Sequence, residues 1–320
     1  MFLGMDGGGT HSVFVILDRE GRERARHEAG SAYYPEVGID AVRDMLRAGV
    51  RAALAQAALP ADALEHAFFG LPMHGEDDQT PVLDQLPAGV LPAGRYACGN
   101  DMICGWAGSL GGEDGINVVA GTGSIGSGEV AGRSARCGGW SELFSDEGSA
   151  FWIARAGLQL FSRMSDGRAV QGPLLAHVRR QLGGHLDLEL GTWIVRELGN
   201  DRSRIAGLAR LVHAAAVDGD AQCLAILQSA GRELAQLALA IRRALAVGDE
   251  AEVRVSYSGG VFDACPQVTE SFSAALAASG RRFAVTTPRF TPEIGAALQA
   301  ARLAGRPVSM PKGGRDPPPG

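Results

Sequence analysis

The sequence predicts an α/β protein built as two similar halves, the second carrying a long helical insertion. Two features point to this. An apolar strand, a Gly/Thr-rich turn and a second apolar strand follow one another over residues 2–17 and again over residues 116–130. Between Glu147 and Val247 the chain instead reads as nearly all helix, most clearly where Leu224, Leu227, Gly231, Leu234, Leu237, Ile241 and Leu245 share one helical face.

In chain order, Phe2-Leu3-Gly4-Met5 is a strand, Gly7-Gly8-Gly9-Thr10 a turn, and Ser12 to Leu17 a β-branched strand. After a second turn at Asp18-Arg19-Glu20-Gly21, the polar run Arg22 to Glu28 reads as a solvated edge strand. Ile39, Val42, Leu46, Val50 and Leu54 recur at helical steps. His66 to Leu71 and Arg95 to Cys98 are further strands, and Met102 to Ser109 is a short helix. Ile116 to Ala120 and Ile125 to Val130 flank the turn Gly121-Thr122-Gly123-Ser124. Val253 to Tyr257 returns to strand, followed by Ser258-Gly259-Gly260-Val261 and one helix through about Ala278. Phe283 to Thr286 is the last strand and Pro292 to Leu303 the last helix. From Arg306 the chain, ending Pro317-Pro318-Pro319-Gly320, has too little apolar surface to bury and is expected to be disordered.

A length of 320 residues suits two domains. With 30 Lys and Arg against 36 Asp and Glu, the net charge of −6 leaves no basic footprint for nucleic acid. No apolar run approaches the roughly 18 residues that span a bilayer, and Met1 to Asp6 lacks the pattern of a secretory leader. The five cysteines (Cys98, Cys104, Cys137, Cys223, Cys265) are scattered and form no CxxC pair. Free thiols in a reducing, cytoplasmic setting are the expectation, with no membrane partner.

The chemistry is carried by glycine-rich turns placed directly after apolar strands. Consecutive glycines let several backbone N–H groups converge on one anion, and a missing Cβ permits close approach. Gly7-Gly8-Gly9-Thr10 and Gly121-Thr122-Gly123-Ser124 suit phosphate in this way, and neither fits GxxxxGK[ST] or GxGxxG. The competing reading of one such loop is a tight hairpin that needs positive φ. Asp6, beside the first loop, would repel phosphate unless a cation lay between, which suggests Mg2+ held partly through water; it also suits bonding its own turn. Asp101 follows a strand and precedes a helix, so it is either an N-cap or a carboxylate that accepts a hydroxyl proton, and the two phosphate loops favour the second. In Cys137-Gly138-Gly139-Trp140-Ser141-Glu142-Leu143-Phe144-Ser145-Asp146-Glu147-Gly148-Ser149, Trp140 and Phe144 offer apolar faces to a sugar ring and Asp146 and Glu147 offer acceptors to its hydroxyls. Alternatively Ser145 or Asp146 caps the next helix.

In order, Met5-Asp6-Gly7-Gly8-Gly9-Thr10, Asn100-Asp101, Ala120-Gly121-Thr122-Gly123-Ser124, Gly138-Gly139-Trp140, Asp146 to Trp152 and Ser258-Gly259-Gly260-Val261 resemble the N-acetylglucosamine kinase branch of the BadF/BadG/BcrA/BcrD-type ATPases, within the actin/hexokinase/Hsp70 superfamily. The resemblance runs from about residue 2 to 304, and its most specific part is GGW followed by DEGSAFW. It implies two ribonuclease H-like (actin-like ATPase) domains that close over substrates in a cleft: residues 1–114 joined by a helix at 290–305, and residues 115–289. It implies ATP as phosphoryl donor, with Gly8, Gly9, Thr10, Gly121, Thr122 and Gly123 at the phosphates, Ala206 and Ser258, Gly259 and Gly260 at the nucleotide, and Asp6 at Mg2+. Asp101 would be the base on the acceptor hydroxyl, most plainly O6 of N-acetylglucosamine or glucosamine, and Tyr33, Asn100, Ser124, Gly139, Trp140 and Asp146 would join it in holding a small sugar substrate. Two positions depart from the family pattern: Tyr33 and Ile125 stand where related kinases carry Asn, both in the sugar pocket. The rival readings are an ATP-driven activator of an iron–sulfur dehydratase, which needs cluster-binding thiolates, and an actin- or chaperone-like ATPase without a small substrate. The resemblance leaves open another sugar, such as N-acetylmuramate, and a homodimer.

Overall fold

The computed structural model describes residues 1–308 and 310. Contacts divide the chain into two compact units, Met1–Asn117 joined by the chain from Thr287 onward, and Val118–Thr286. Each holds a five-stranded sheet.

In the first unit the sheet runs β3 (Glu23–Ala29), β2 (Ser12–Leu17), β1 (Phe2–Gly7), β4 (His66–Leu71), β5 (Tyr96–Asn100). β1 pairs antiparallel with β2 and parallel with β4, and β5 continues the parallel side. Its helices are α1 (Tyr34–Val37), α2 (Ile39–Gln56), α3 (Thr80–Leu83) and α4 (Met102–Leu110). The central strand is apolar on both faces because it is covered on both. Leu3 and Met5 pack with Val42, Leu46 and Val50 of α2, while Phe2 packs with Cys104 of α4 and with Ala296 and Ala300 of α13 (Pro292–Leu303). β3 is polar because it is an edge strand, with Ala25 turned to the core and Arg24 and Arg26 to solvent.

The last helix returns to the first unit, and it can do so because small residues let backbones touch. A Cβ on Gly4 would overlap the backbone of Ala297, and one on Gly295 would overlap that of Cys104 and Gly108 in α4. Close-packed interiors leave no room for such an addition. Of the tail expected to bury nothing, Val308 and Met310 pack against apolar clusters beside α13. Residue 309 and residues 311–320 lie outside the described residues.

In the second unit the order is β10 (Phe283–Thr286), β9 (Val253–Ser258), β6 (Gly115–Ala120), β7 (Ser124–Val130), β8 (Arg133–Gly138). Read from β8, this is the order of the first sheet: the third, second and first strands of the half, then its fourth and fifth. The helices α5 (Ala150–Ser165), α6 (Pro173–Leu182), α7 (Leu190–Leu198), α8 (Arg202–Ala206), α9 (Ala209–Val217) and α10 (Ala221–Ala244) fill the stretch read as helical. Buried Asp220 starts α10 by accepting from Gln222 and Cys223 N–H at 3.0 and 3.1 Å, and it ties in α6 through Leu174 N–H at 3.2 Å. β8 carries no strand signal in the sequence: RSARCG has no β-branched alternation because it is an edge strand exposed along much of its length. One expectation is corrected here. The helix expected to run from Gly260 to about Ala278 is two, α11 (Gly260–Ala264) and α12 (Pro266–Ala278), because Pro266 lacks an N–H and holds Cys265 in an extended conformation at φ −124, ψ 85.

Glu65, just before β4, accepts from Arg19 Nε at 2.8 Å and pairs with Arg306 at 3.2 Å. The Arg19 hydrogen bond, with the N-terminal amine beside it, lowers the Glu65 carboxyl from an ordinary 4.5 to about 2. Its contribution to stability is therefore present above about pH 4.5 and lost as pH falls toward 2. Glu65→Gln is expected to lower stability at pH 7 by about 1 kcal/mol, the exposure of Arg19 screening the pair, with the difference shrinking below pH 4.5; urea titrations of parent and variant at stepped pH check this, and a pH-independent difference would contradict it.

Candidate active site

In the first unit the residues singled out by sequence gather at the C-terminal ends of β1, β4 and β5. Asp6 ends β1 opposite Gly70 of β4, and Gly70 lies opposite Gly99, two residues before Asp101. A Cβ on Gly70 would sit 3.2 Å from the Asp101 Cα, so the side-chain-free strand brings β4 against the start of α4. Burial pushes the half-buried Asp6 carboxyl up to about 7, with the charges of Asp101 and Glu293 adding to the rise and a hydrogen bond from Cys104 opposing it. Glu293 is itself paired with Arg26 at 2.6 Å, so Asp6 and Asp101 are the two like charges that a divalent cation would relieve.

Asp101 occupies the N-cap position of α4, yet its side chain makes no capping hydrogen bond. The cap belongs to Asn100, whose Oδ1 accepts from Met102 N–H at 3.2 Å. Asn100 also spends both amide protons inside the unit, on His74 C=O at 3.1 Å and Glu76 Oε1 at 2.9 Å. This buried side chain therefore fixes the loop after β4, a role the sequence reading did not foresee. Tyr33 opens α1 with its N–H on Ser31 Oγ at 3.0 Å, and neighbouring Ala32 donates to Gly8 C=O at 2.9 Å, tying that segment to the first glycine turn. Tyr34 is engaged elsewhere, its hydroxyl on Asp77 and its ring against the apolar cluster.

The turn closes the β1–β2 hairpin, with Gly8 N–H on His11 C=O at 3.0 Å, but none of Gly7, Gly8 and Gly9 has positive φ, so backbone conformation does not demand glycine there. A side chain on Gly8 would meet His11 C=O at 2.6 Å, whereas nothing lies within 4 Å of a Cβ on Gly9, and Thr10 is exposed with its hydroxyl 3.2 Å from His11 Nδ1. Gly121 in the second unit repeats the pattern: φ is not positive and nothing lies within 4 Å. Gly9 and Gly121 are thus left bare where neither backbone conformation nor packing requires it, as expected where an outside group approaches the backbone.

The second turn rests on the start of α5. Ala150 and Phe151 N–H donate to Gly121 and Thr122 C=O at 2.9 and 3.3 Å. The cap of α5 is Ser149, which accepts from Trp152 N–H at 3.1 Å; neither Ser145 nor Asp146 performs it. Ser124 donates its hydroxyl to Glu147 C=O at 2.8 Å and its N–H to the Asp146 carboxylate. Asp146 is 3 % exposed with φ +57, a left-handed conformation that few non-glycine residues adopt. Burial raises its carboxyl, and the Arg202 guanidinium and the Ser124 N–H pull it back down. Ser258, Gly259 and Gly260 follow β9, and Gly259, at φ +100, lies 2.5 Å by its missing Cβ from Ala120 C=O, beside the second turn. Ala206 ends α8, the short helix that carries Arg202, and is buried. Gly139 accepts from Arg136 at 3.0 Å, and Trp140 and Phe144 stand 75 and 72 % exposed. The structure therefore joins Asp6, Gly8, Tyr33, Asn100 and Asp101 in one unit, and Gly121 to Ser124, Asp146 and Ser258 to Gly260 in the other.

Sequence reasoning missed Arg202, because an arginine at a helix start carries no motif. It missed Glu76 and Glu293 for the same reason: their partners, Asn100 and Arg26, are remote in sequence. Removing the Asn100 amide would take an acceptor from Met102 N–H and a donor from His74 C=O. Asn100→Ala is expected to destabilise the protein by about 2–3 kcal/mol, measured by urea unfolding; unchanged stability would show that the loop after β4 is held by other bonds.

An N-acetylmuramic acid/N-acetylglucosamine kinase from Clostridium acetobutylicum is 26% identical over 266 residues, which cover 82% of this chain and 85% of the relative. An N-acetyl-D-glucosamine kinase from Dictyostelium discoideum is 26% identical over 310 residues, covering 94 and 97%. The crystal structure of a candidate N-acetylglucosamine kinase from Chromobacterium violaceum superposes with a TM-score of 0.72 at 28% identity, covering 94% of this chain and 98% of that one. The family model for the BadF/BadG/BcrA/BcrD ATPases matches residues 3–300, and the chain belongs to that family.

Proposed function

We propose that the protein transfers the γ-phosphoryl group of ATP to a hydroxyl of an amino sugar, with O6 of N-acetylglucosamine or glucosamine as acceptor and Asp101 as the base. The observation that carries this reading is the division of labour at the start of α4: Asn100 caps the helix, so Asp101 sits at the strand ends beside Asp6 without being the cap. A carboxylate there can orient a hydroxyl and take its proton as the oxygen attacks phosphorus. Thr10 and Thr122, with the bare backbone at Gly9 and Gly121, are suited to the phosphates, and Ser258 to Gly260, with Ala206, to the rest of the nucleotide. Asp146, Gly139, Trp140 and Tyr33 are suited to the sugar.

Asp6 is the residue suited to Mg2+, given the carboxylates that crowd it. No group of three or more metal-ligating side chains occurs among the described residues, so nucleotide phosphates and water would complete the coordination. Bound there, the ion would neutralise charge on the phosphate oxygens.

The family also suggests an ATP-driven activator of an iron–sulfur enzyme, and the cysteines argue against it. Cys104, Cys223 and Cys265 are buried, Cys98 and Cys137 half-buried, and none is exposed to hold a cluster with a second copy.

A coupled ADP-release screen with glucosamine, N-acetylglucosamine, N-acetylmuramate, glucose and N-acetylmannosamine tests the substrate class; turnover with none of them would sink the reading. Asp101→Asn is expected to lower turnover by about 10²–10⁴ while ATP binds within a few-fold of the parent, and a variant retaining more than about a tenth of parental turnover would place the base elsewhere. Tyr33→Asn is expected to change the ratio of kcat/KM between glucosamine and N-acetylglucosamine by about tenfold or more, on the scale of one hydrogen bond to a sugar substituent. An unchanged ratio with intact activity would remove Tyr33 from the sugar.

A further inference from the structure

Arg202 is a strong cation in contact with the second glycine turn, and its bonding is incomplete. It opens α8 directly after the capping residue Asp201. Its Nη2 donates to Asp146 Oδ2, and its Nη1 lies 3.5 Å from Glu142 Oε2. Its Nε is buried and has no hydrogen-bond partner, although the side chain as a whole is 41 % exposed. The guanidinium also lies flush against the turn: a Cβ on Gly123 would run into Nη2 and sit 2.7 Å from Asp146 Oδ2. Gly123 does not have positive φ, so it is this ion pair, and not backbone conformation, that excludes a side chain there.

A guanidinium binds a phosphate best through two parallel N–H groups, and the edge formed by Nε and Nη2 is such a fork. Here Nη2 is taken by Asp146 and Nε is left without an acceptor. A group that drew Asp146 away would complete the fork, beside a turn whose backbone is open at Gly121. A sugar hydroxyl is such a group, because it donates to a carboxylate and brings no charge to pair with arginine.

We infer that Arg202 couples sugar to nucleotide: it neutralises Asp146 until a sugar hydroxyl takes that carboxylate, and then offers Nε and Nη2 to the terminal phosphoryl group of a nucleoside triphosphate. This rests on reading Asp146 as a sugar contact and Gly121 to Ser124 as a phosphate turn. The consequence is reciprocal tightening: sugar strengthens triphosphate binding, and triphosphate strengthens sugar binding by the same factor. With the arginine committed to Asp146 in the absence of sugar, the transferring group lacks a charge contact, and wasteful hydrolysis is held down.

The test is calorimetric titration of AMPPNP and of AMP into the parent, Arg202→Met and Arg202→Lys, each alone and with N-acetylglucosamine, glucosamine or N-acetylmuramate. In the parent, a sugar is expected to tighten AMPPNP by about tenfold, on the scale of one charge-assisted contact, and to leave AMP unchanged. Arg202→Met should abolish that tightening with AMP affinity within about twofold of the parent, and Arg202→Lys, which keeps charge without the fork, should restore it in part. Equal AMPPNP affinity with and without sugar in the parent overturns the coupling. So does an Arg202→Met variant that loses sugar affinity while binding AMPPNP as the parent does, since Arg202 would then only support Asp146. Should Arg202→Met fail to fold with Asp146 left uncompensated, the doubly neutral Asp146→Asn/Arg202→Met is compared with Asp146→Asn, and equal AMPPNP affinity in that pair also overturns the inference. ADP release by the parent separates the two levels: tightening without sugar phosphorylation sinks the kinase reading alone, and phosphorylation without tightening sinks only the role of Arg202.

Discussion

Like charges are held together at the ends of β1 and β5, and much of the first unit serves to keep them there. Left to themselves, Asp6 and Asp101 would separate or take up protons: burial pushes the Asp6 carboxyl up to about 7, and the charge of Asp101 adds to the rise. The fold resists it with packing that cannot give. α4, which begins at Asp101, is pressed by Gly108 and Cys104 onto Gly295 of α13, and α13 is in turn pressed onto Gly4 of β1, two residues before Asp6. These contacts are between backbones, so no rotamer change can loosen them. The return of the C-terminal helix to the N-terminal unit thereby reaches the two carboxylates that carry the proposed chemistry.

The second unit meets a related problem with a different device. Asp146 is buried and sits in a left-handed conformation, two costs that no helix-capping role offsets, since Ser149 caps α5. A buried carboxylate stripped of its partner is strongly destabilising, and Arg202 supplies the partner. Strain of this kind persists where surrounding structure holds it and is concentrated at functional sites. One half thus holds two like charges together, and the other holds a buried carboxylate compensated by an arginine.

How much of this was legible in the sequence follows from the range of each signal. Strands buried on both faces announce themselves through runs such as HAFFGL and FLGM, and β4 falls where it was read. The edge strand β8 does not, because RSARCG pairs on one side only and needs no apolar face. The glycine turns were visible because bare backbone after a strand is itself the signal, and the structure adds that Gly9 and Gly121 have no internal reason to be glycine. The family resemblance implied a sugar role for Asn100, and the structure adds that its amide donates to His74 and Glu76, partners that no local pattern reveals. Arg202 was invisible for the same reason: its meaning lies in Asp146, 56 residues earlier in the chain.

In the proposed reaction phosphorus leaves ATP for a sugar oxygen and not for water. Phosphorus-31 NMR of the protein with ATP, Mg2+ and N-acetylglucosamine or glucosamine observes that directly. A phosphomonoester signal split by the two protons on C6, growing as the γ-phosphate of ATP disappears, is the predicted result. An unsplit inorganic phosphate signal growing at the same rate with or without sugar would contradict it.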